Sequence, residues 1–222
     1  MPTLSSNEPT PRTVALAGAT GLVGRAILEG LLADRTVTAV HALGRRESGI
    51  AHPKLTSHVV DFTAVPPLPP LDEVYLALGT TIKVAGSQAA FRAVDLDANL
   101  AVARAALAAG ARRAGLVSAM GADAKSRVFY NRVKGELEEA LAQLPFTGLV
   151  LARPSLLTGD REALGQSERP AEKVSMAVGR LLRPLIPANY LPIAAADVAQ
   201  ALLARVPAAQ GRVVLLSGDM QR

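Results

Sequence analysis

Three side chains that could transfer or position a proton stand close together in the second half of the chain. Tyr130 and Lys134 are four residues apart in the stretch VFYNRVKGELEEAL, which has the pattern of an amphipathic helix. Residues at that spacing share a helix face, so the ammonium would stabilise the phenolate and make the phenol a usable general acid or base. Ser118, twelve residues upstream of Tyr130, could orient a substrate carbonyl with its hydroxyl. The alternative is structural: Tyr130 packs, Lys134 is solvated and Ser118 caps a turn.

A glycine motif of the form GxxGxxG occurs near the start of the chain. Gly18, Gly21 and Gly24 stand where an apolar strand is followed by an amphipathic helix, in VALAGATGLVGRAILEGLL. Without Cβ atoms, the backbone lets a diphosphate approach the helix N-terminus, where N–H groups and the helix dipole attract its charge. The position between strand and helix predicts a dinucleotide site; a purely structural glycine turn is the alternative.

The end of the second predicted strand indicates which dinucleotide is bound. An acidic residue there would accept from the ribose 2′-hydroxyl of NAD, whereas an arginine favours the 2′-phosphate of NADP. Arg45 and Arg46 stand at this place in HALGRRES, and a guanidinium pairs with phosphate through two hydrogen bonds. The predicted cofactor is therefore NADP(H), unless one or both arginines are only solvated. Asp61, in HVVDF, either accepts from the adenine amino group or fixes a turn.

A site of this kind needs a scaffold that brings the ends of strands together. In this chain, short runs rich in β-branched residues alternate with Ala- and Leu-rich segments. This pattern is typical of an α/β fold, a doubly wound parallel sheet of the Rossmann type. Strands are predicted at residues 13–17, 36–43, 55–62, 73–78, 114–119, 147–153 and 212–217, and helices at 23–33, 89–109, 130–144, 172–182 and 195–205. We expect a disordered tail at residues 1–11 and a single domain at 12–222, in which residues 154–195 form a small substrate-side insert.

Composition and charge exclude several classes of function. The chain has no cysteine, which excludes disulfides and thiolate chemistry, and its three histidines are dispersed without acidic residues at metal-ligand spacing. The net charge of +5 is scattered and aromatic residues make up only 3%, which argues against nucleic acid as a partner. Apolar runs are interrupted by Arg or Pro before spanning length, and the start lacks a signal-peptide pattern. We expect a small-molecule substrate, no metal, no nucleic acid and no membrane, in a cytoplasmic monomer or homodimer.

Taken together, these motifs resemble the short-chain dehydrogenase/reductase superfamily in its extended and atypical branches. The resemblance rests on GxxGxxG after the first strand, Ser at the end of the fifth and YxxxK on the following helix, and it covers nearly the whole chain from residue 12. More narrowly, the LGTT, VD, SxxGAD and YxxVKGE stretches resemble the Tat-interactive protein group of NADPH-binding atypical members.

The resemblance implies roles for individual residues. Ser118, Tyr130 and Lys134 would form the catalytic set, with Lys134 also binding the nicotinamide ribose, and Arg45 would hold the 2′-phosphate. The fourth catalytic residue of many relatives, an Asn, has no clear counterpart, since Asp97 and Asn99 are only near its place. The implied cofactor site comprises Gly18, Thr20, Gly21, Leu22, Val23, Gly24, Arg45, Arg46, Asp61, Phe62, Leu78, Gly79, Thr80, Tyr130, Lys134, Arg153, Pro154, Ser155 and Leu156.

The predicted function is that of an NADP(H)-dependent oxidoreductase acting on a carbonyl or alcohol, with Tyr130 giving the substrate oxygen its proton. One alternative is a dinucleotide-sensing regulator, which would not use Tyr130 chemistry. Another is an isomerase of the nucleotide-sugar epimerase kind, against which Arg45 and the short C-terminal part count. Substrate choice is expected from residues 158–193, whose arginines either contact an acidic group or are solvated: Arg161, Arg169, Arg180 and Arg183.

Overall fold

A parallel β-sheet forms the framework of the protein, whose computed structural model describes residues 10–158 and 187–221. In this part of the chain, the sheet has seven strands, namely β1 (Arg12–Ala17), β2 (Val37–Gly44), β3 (Leu55–Val59), β4 (Glu73–Leu76), β5 (Arg113–Val117), β6 (Gly148–Arg153) and β9 (Gly211–Leu216). They pair in the order β3-β2-β1-β4-β5-β6-β9, and every pairing is parallel. The strand order reverses beside β1, which confirms the prediction of a doubly wound sheet of the Rossmann type.

Helices connect β1 with β2, β4 with β5 and β5 with β6, and a separate two-stranded sheet follows β6. The small sheet consists of β7 (Leu157–Thr158) and β8 (Ile193–Ala194), which the sequence pattern does not predict. The helices are α1 (Leu22–Ala33), α2 (Ile82–Ala85), α3 (Gln88–Arg92), α4 (Asn99–Ala108), α5 (Phe129–Ala142), α6 (Ala195–Arg205) and α7 (Ser217–Met220). No helix within residues 10–158 and 187–221 combines the length and the apolar character that crossing a bilayer requires.

The helix predicted over residues 89–109 is divided in the structure. Between α3 and α4, residues Ala93–Ala98 form a turn of π-helix, whose wider hydrogen-bonding pattern re-aims the side chains it carries. The strands β3 and β4 end earlier than predicted, so residues 60–62 and 77–80 lie in loops beyond the sheet. The helix predicted at residues 172–182, residues 1–9 of the predicted tail, and Arg161, Arg169, Arg180 and Arg183 lie outside the described residues.

Side chains alternate between two apolar layers along the central strands. In β1, Val14 and Leu16 pack in the layer that contains α1 and α6, whereas Ala15 and Ala17 pack in the layer that contains α3, α4 and α5. All four residues have no exposed surface. A strand buried on both faces is typical of a parallel sheet covered by helices, and it explains why the strand sequences are nearly continuous apolar runs.

Ion pairs fix the amino ends of the central strands, at the edge opposite to the candidate site. Arg12 contacts Asp34 at 2.5 Å and the fully buried Glu73 at 2.7 Å. Burial, together with the neighbouring Glu73, raises the pKa of Tyr75 well above its ordinary value of 10.0. Burial also raises the pKa of Asp34, but hydrogen bonds from Thr36 and the charge of Arg12 outweigh it and hold that pKa below 3.8. These ion pairs stabilise the fold and lie away from the candidate site.

Candidate functional site

A cavity of about 1820 Å³ opens at the carboxyl edge of the sheet. Gly18, Arg45, Ser118 and Pro154 directly follow β1, β2, β5 and β6, and all four line it. The carboxyl ends of parallel strands are where ligands bind in doubly wound folds. The cavity is also lined by further predicted site residues, namely Thr20, Gly21, Leu22, Val23, Arg46, Asp61, Phe62, Leu78, Gly79, Thr80, Tyr130, Lys134, Ser155 and Leu156.

The glycine turn places the N-terminus of α1 against this cavity. Gly18 has φ of +91°, and a Cβ there would lie 2.5 Å from the Ala77 carbonyl oxygen. A Cβ at Gly24 would lie 2.0 Å from the Gly18 carbonyl oxygen, so Gly24 lets the helix pack closely on the turn and does not itself line the cavity. Gly21 begins the helix, whose first turn carries no acidic residue. Glycine backbone and an uncompensated helix N-terminus together fit a diphosphate.

The two arginines after β2 lie at the rim of the cavity. Arg45 and Arg46 are both exposed and both line it. Within residues 10–158 and 187–221, no carboxylate is at salt-bridge distance from either guanidinium. Asp61 also lines the cavity, and its Oδ1 accepts from the Thr63 N–H at 2.9 Å and the Thr63 hydroxyl at 2.8 Å. These bonds lower the pKa of Asp61 and stabilise the turn that follows β3, while the contact of Asp61 with the adenine amino group stays a prediction.

Lys134 is paired with a buried carboxylate in the wall of the cavity. Its Nζ lies 2.7 Å from Oδ1 of Asp95, and the two side chains are only 5% and 1% exposed. Oδ2 of Asp95 accepts from the Thr80 N–H at 2.8 Å. Asp95 belongs to the π-helical turn, and the amide of Asn99 donates to its carbonyl oxygen at 3.2 Å. The ammonium that the sequence places beside Tyr130 therefore has its own counter-ion.

Tyr130 is half-buried at the cavity wall, one turn before Lys134 on α5. Its ring packs against the fully buried Phe91, with 5.5 Å between ring centroids. Tyr130 lines the cavity, and within residues 10–158 and 187–221 no other residue hydrogen-bonds its hydroxyl. The phenol is thus neither sealed in the core nor exposed in full to solvent.

Ser118 is bonded to a second buried carboxylate. Its hydroxyl lies 2.6 Å from Oε1 of Glu138, which is 1% exposed. Arg153 donates to both carboxylate oxygens, from Nε at 2.9 Å and from Nη2 at 2.5 Å, and Arg212 donates at 3.2 Å. The bond to Glu138 raises the pKa of Arg153. Arg153 therefore lies behind Ser118, and it does not line the cavity as the other predicted residues of its segment do.

Two residues of this site, Asp95 and Glu138, are absent from the sequence-based prediction. Glu138 carries a readable signal, because it follows Lys134 by four residues and so continues the face of α5 that Tyr130 begins. Asp95 lies in VD, one of the stretches on which the resemblance rests. Its ion pair with Lys134, however, joins two residues that are 39 positions apart in the sequence. Only the folded structure shows that contact.

The chain matches one family model and several curated proteins. The family described as NAD(P)H-binding matches residues 18–147, from the glycine turn to beyond α5. "Protein fmp52, mitochondrial" of Emericella nidulans is 40% identical over 172 residues, which cover 73% of this chain and 72% of that protein. "Protein FMP52, mitochondrial" of Coccidioides immitis is 33% identical over 229 residues, and the match covers 93% of each chain.

Solved structures of the short-chain dehydrogenase/reductase superfamily share the fold. A superfamily member from Agrobacterium tumefaciens with bound NAD matches with a TM-score of 0.66 at 15% identity, over 92% of this chain and 77% of that chain. The family match agrees with the superfamily-level resemblance, and the fold is the one that this resemblance implies. The curated relatives are FMP52 proteins and not Tat-interactive proteins, which corrects the narrower resemblance. The expected cytoplasmic location is also wrong, because these relatives are named mitochondrial.

Proposed function

Because the chain belongs to the NAD(P)H-binding family of the short-chain dehydrogenase/reductase superfamily, with FMP52 proteins as relatives, we propose that it is an NADP(H)-dependent oxidoreductase. Its substrate would be a carbonyl compound or an alcohol. One observation carries the proposal: Ser118, Tyr130 and Lys134 line the same cavity as the glycine turn and Arg45.

The cofactor would lie along the carboxyl edge of the sheet. The turn at Gly18 and Gly21 would receive the diphosphate, and Arg45 the 2′-phosphate, with Arg46 beside it. The loop at residues 78–80 would border the ribose and adenosine portion. When bound, the nicotinamide supplies or accepts the hydride.

Tyr130 would hold the proton that the substrate oxygen gains. Its hydroxyl is free within the described residues and borders the cavity, and Phe91 fixes the plane of its ring. An ammonium has three donors. Asp95 is the ion-pair partner of Lys134 at 2.7 Å, and the ammonium would use its donors for the phenol and for the cofactor ribose. Asp95 would therefore hold Lys134 in place and offset its charge in a buried site.

Residues 154–195 would contribute to the substrate side of the cavity. Pro154 and Ser155 line it, and the Ser155 hydroxyl contacts the Leu191 carbonyl oxygen. The pairing of β7 with β8 brings Leu157, which lines the cavity, beside Ile193. We propose that this segment belongs to the same domain as the rest of residues 12–222.

A regulator that binds NADP(H) without turnover is a second candidate, favoured by the bonding of Ser118 and Lys134 to buried carboxylates. The distinguishing experiment screens aldehydes, ketones and quinones for consumption of NADPH, after calorimetry with NADPH and NADH. Tighter binding of NADPH together with carbonyl-dependent turnover supports the oxidoreductase. Binding without turnover supports the regulator, and equal affinities would remove the argument from Arg45.

A further inference from the structure

The hydroxyl of Ser118 has a single proton, and the contacts of Glu138 determine where that proton lies. Among residues 10–158 and 187–221, four contacts reach the Glu138 carboxylate besides Ser118, and they come from guanidinium N–H groups of Arg153 and Arg212. A carboxylate held by two guanidinium groups is an acceptor only. In the 2.6 Å contact between Ser118 Oγ and Glu138 Oε1, the hydroxyl is therefore the donor.

This arrangement is fixed by burial on both sides. Ser118 is 5% exposed and Glu138 is 1% exposed. The backbone N–H of Ser118 donates to the Ala152 carbonyl oxygen at 2.8 Å, which anchors the residue between β5 and β6. Turning the hydroxyl away would leave a buried carboxylate oxygen without one of its donors, which is costly.

Toward the cavity that it lines, Ser118 consequently offers lone pairs and no proton. We infer that Ser118 acts on ligands as a hydrogen-bond acceptor, that Glu138 is the positioning residue that makes it one, and that the preferred substrates are carbonyl compounds with a hydroxyl group on the adjacent carbon. The inference rests on the proposed oxidoreductase function. It replaces the expectation that Ser118 donates to the substrate carbonyl.

The proton balance of the reaction agrees with this division of roles. On reduction, the carbonyl carbon would receive a hydride, which bound NADPH would supply on its oxidation to NADP⁺, and the carbonyl oxygen would receive the proton of Tyr130. Solvent then returns a proton to Tyr130. The adjacent hydroxyl donates to Ser118 and keeps its own proton. A substrate without that hydroxyl leaves the lone pairs of Ser118 unused in a buried wall.

The test compares paired ketones in which a methyl group replaces the proton of the hydroxyl donor. α-Hydroxyacetophenone is measured against α-methoxyacetophenone, and hydroxyacetone against methoxyacetone, because the ether keeps the electron withdrawal of the hydroxyl but has no proton to donate. For the wild type, kcat/KM should favour the hydroxy ketone by about five- to tenfold, the usual worth of one neutral hydrogen bond. Equal values for both members of each pair would overturn the inference and leave the oxidoreductase function standing.

Variants assign the preference to the two residues. Ser118→Ala should bring the hydroxy-to-methoxy ratio to about one, because it removes the acceptor. Three of the four guanidinium contacts are to Oε2, so in Glu138→Gln the amide oxygen should take that place. The amide NH₂ then donates to Ser118, and the ratio should fall toward one because the Ser118 proton is released toward the cavity. A merely structural defect would lower both substrates equally and leave the ratio unchanged. The matched control is Glu139→Gln, an exposed neighbour on α5, which should keep the wild-type ratio. A wild-type ratio in Ser118→Ala would contradict the inference.

A binding measurement separates this inference from the proposed function. If no ketone is turned over, the oxidoreductase function fails, and the inference is tested by calorimetry with NADP⁺ present, using phenylethanediol and its methoxy ether as ligands. Tighter binding of the diol, lost in Ser118→Ala, supports an acceptor at Ser118. Equal binding of the two, or a preference that survives in the variant, refutes it.

Discussion

Replacing Asp95 by Asn tests whether the ion pair in the cavity wall holds Lys134. The amide can still accept from the Thr80 N–H, as Oδ2 of Asp95 does at 2.8 Å. Its NH₂ group, however, then faces the Lys134 ammonium, where a carboxylate oxygen lay 2.7 Å away. The substitution therefore removes the counter-charge and sets donor against donor while hardly changing the shape of the side chain.

The size of the effect follows from burial. Lys134 and Asp95 are 5% and 1% exposed, and breaking such a pair by removing one partner costs about 3–5 kcal/mol. Since the bond to Thr80 is retained, we expect the lower end, about 3 kcal/mol. For a chain of this size each kcal/mol lowers Tm by roughly 2–4 °C, so Asp95→Asn should melt roughly 6–12 °C below the wild type.

Thermal and urea denaturation measure this directly. Asp97→Asn is the matched control, because Asp97 is exposed in the same π-helical turn, and its effect should stay within about 0.5 kcal/mol. In Asp95→Asn combined with Lys134→Met, the loss should be smaller than the sum of the single losses by about 2 kcal/mol. A loss below about 1 kcal/mol in Asp95→Asn, or additive losses, would refute the idea that this pair is a stabilising unit.

Three further predictions follow from the cofactor cradle and the fold. Arg45→Ala should weaken NADPH binding about tenfold and leave NADH binding unchanged in calorimetry, whereas Arg104→Ala, exposed on α4, should change neither. Gly24→Ala should lower the free energy of unfolding, measured by urea denaturation, by about 3 kcal/mol or more, because its Cβ would lie 2.0 Å from the Gly18 carbonyl oxygen. Gly21→Ala should lower it far less, because its Cβ would lie 3.4 Å from the same oxygen. The pKa of Asp34 is lower in the folded state than in the unfolded state. Its contribution to the free energy of unfolding is therefore complete above the unfolded-state pKa of about 3.9 and is lost as the pH falls through the folded-state pKa. The difference in Tm between wild type and Asp34→Asn should therefore shrink below about pH 4.

Most of the fold was predictable because its signals are local. Apolar runs mark the central strands, and β1, predicted at residues 13–17, spans Arg12–Ala17. The division of the helix predicted at residues 89–109 was not predictable, because nothing in its composition marks a π-helical turn. Tertiary contacts hold that turn, in which Asp95 bonds both Thr80 and Lys134. The two-residue strands β7 and β8 are likewise too short to produce an alternation pattern.

The residues of the candidate site were predictable where a side chain or glycine suited to the chemistry directly follows a predicted strand. Gly18, Arg45 and Ser118 each follow a strand directly, and a parallel sheet brings such positions to one edge. The partners of Ser118 and Lys134 were not predictable, because side-chain pairing across elements depends on packing. The bond from Arg212 on β9 to Glu138 on α5, for example, spans 74 positions.

The most direct test of the proposed function is Tyr130→Phe, measured for turnover and for cofactor binding in the same preparation. General acid catalysis contributes about 10²–10⁴-fold, so kcat for carbonyl-dependent NADPH oxidation should fall at least about 100-fold while the Kd for NADPH stays within about twofold. Glu139→Gln, at an exposed position on the same helix that does not line the cavity, should behave as the wild type. Turnover by Tyr130→Phe at the wild-type rate would contradict the role of this phenol as the proton donor.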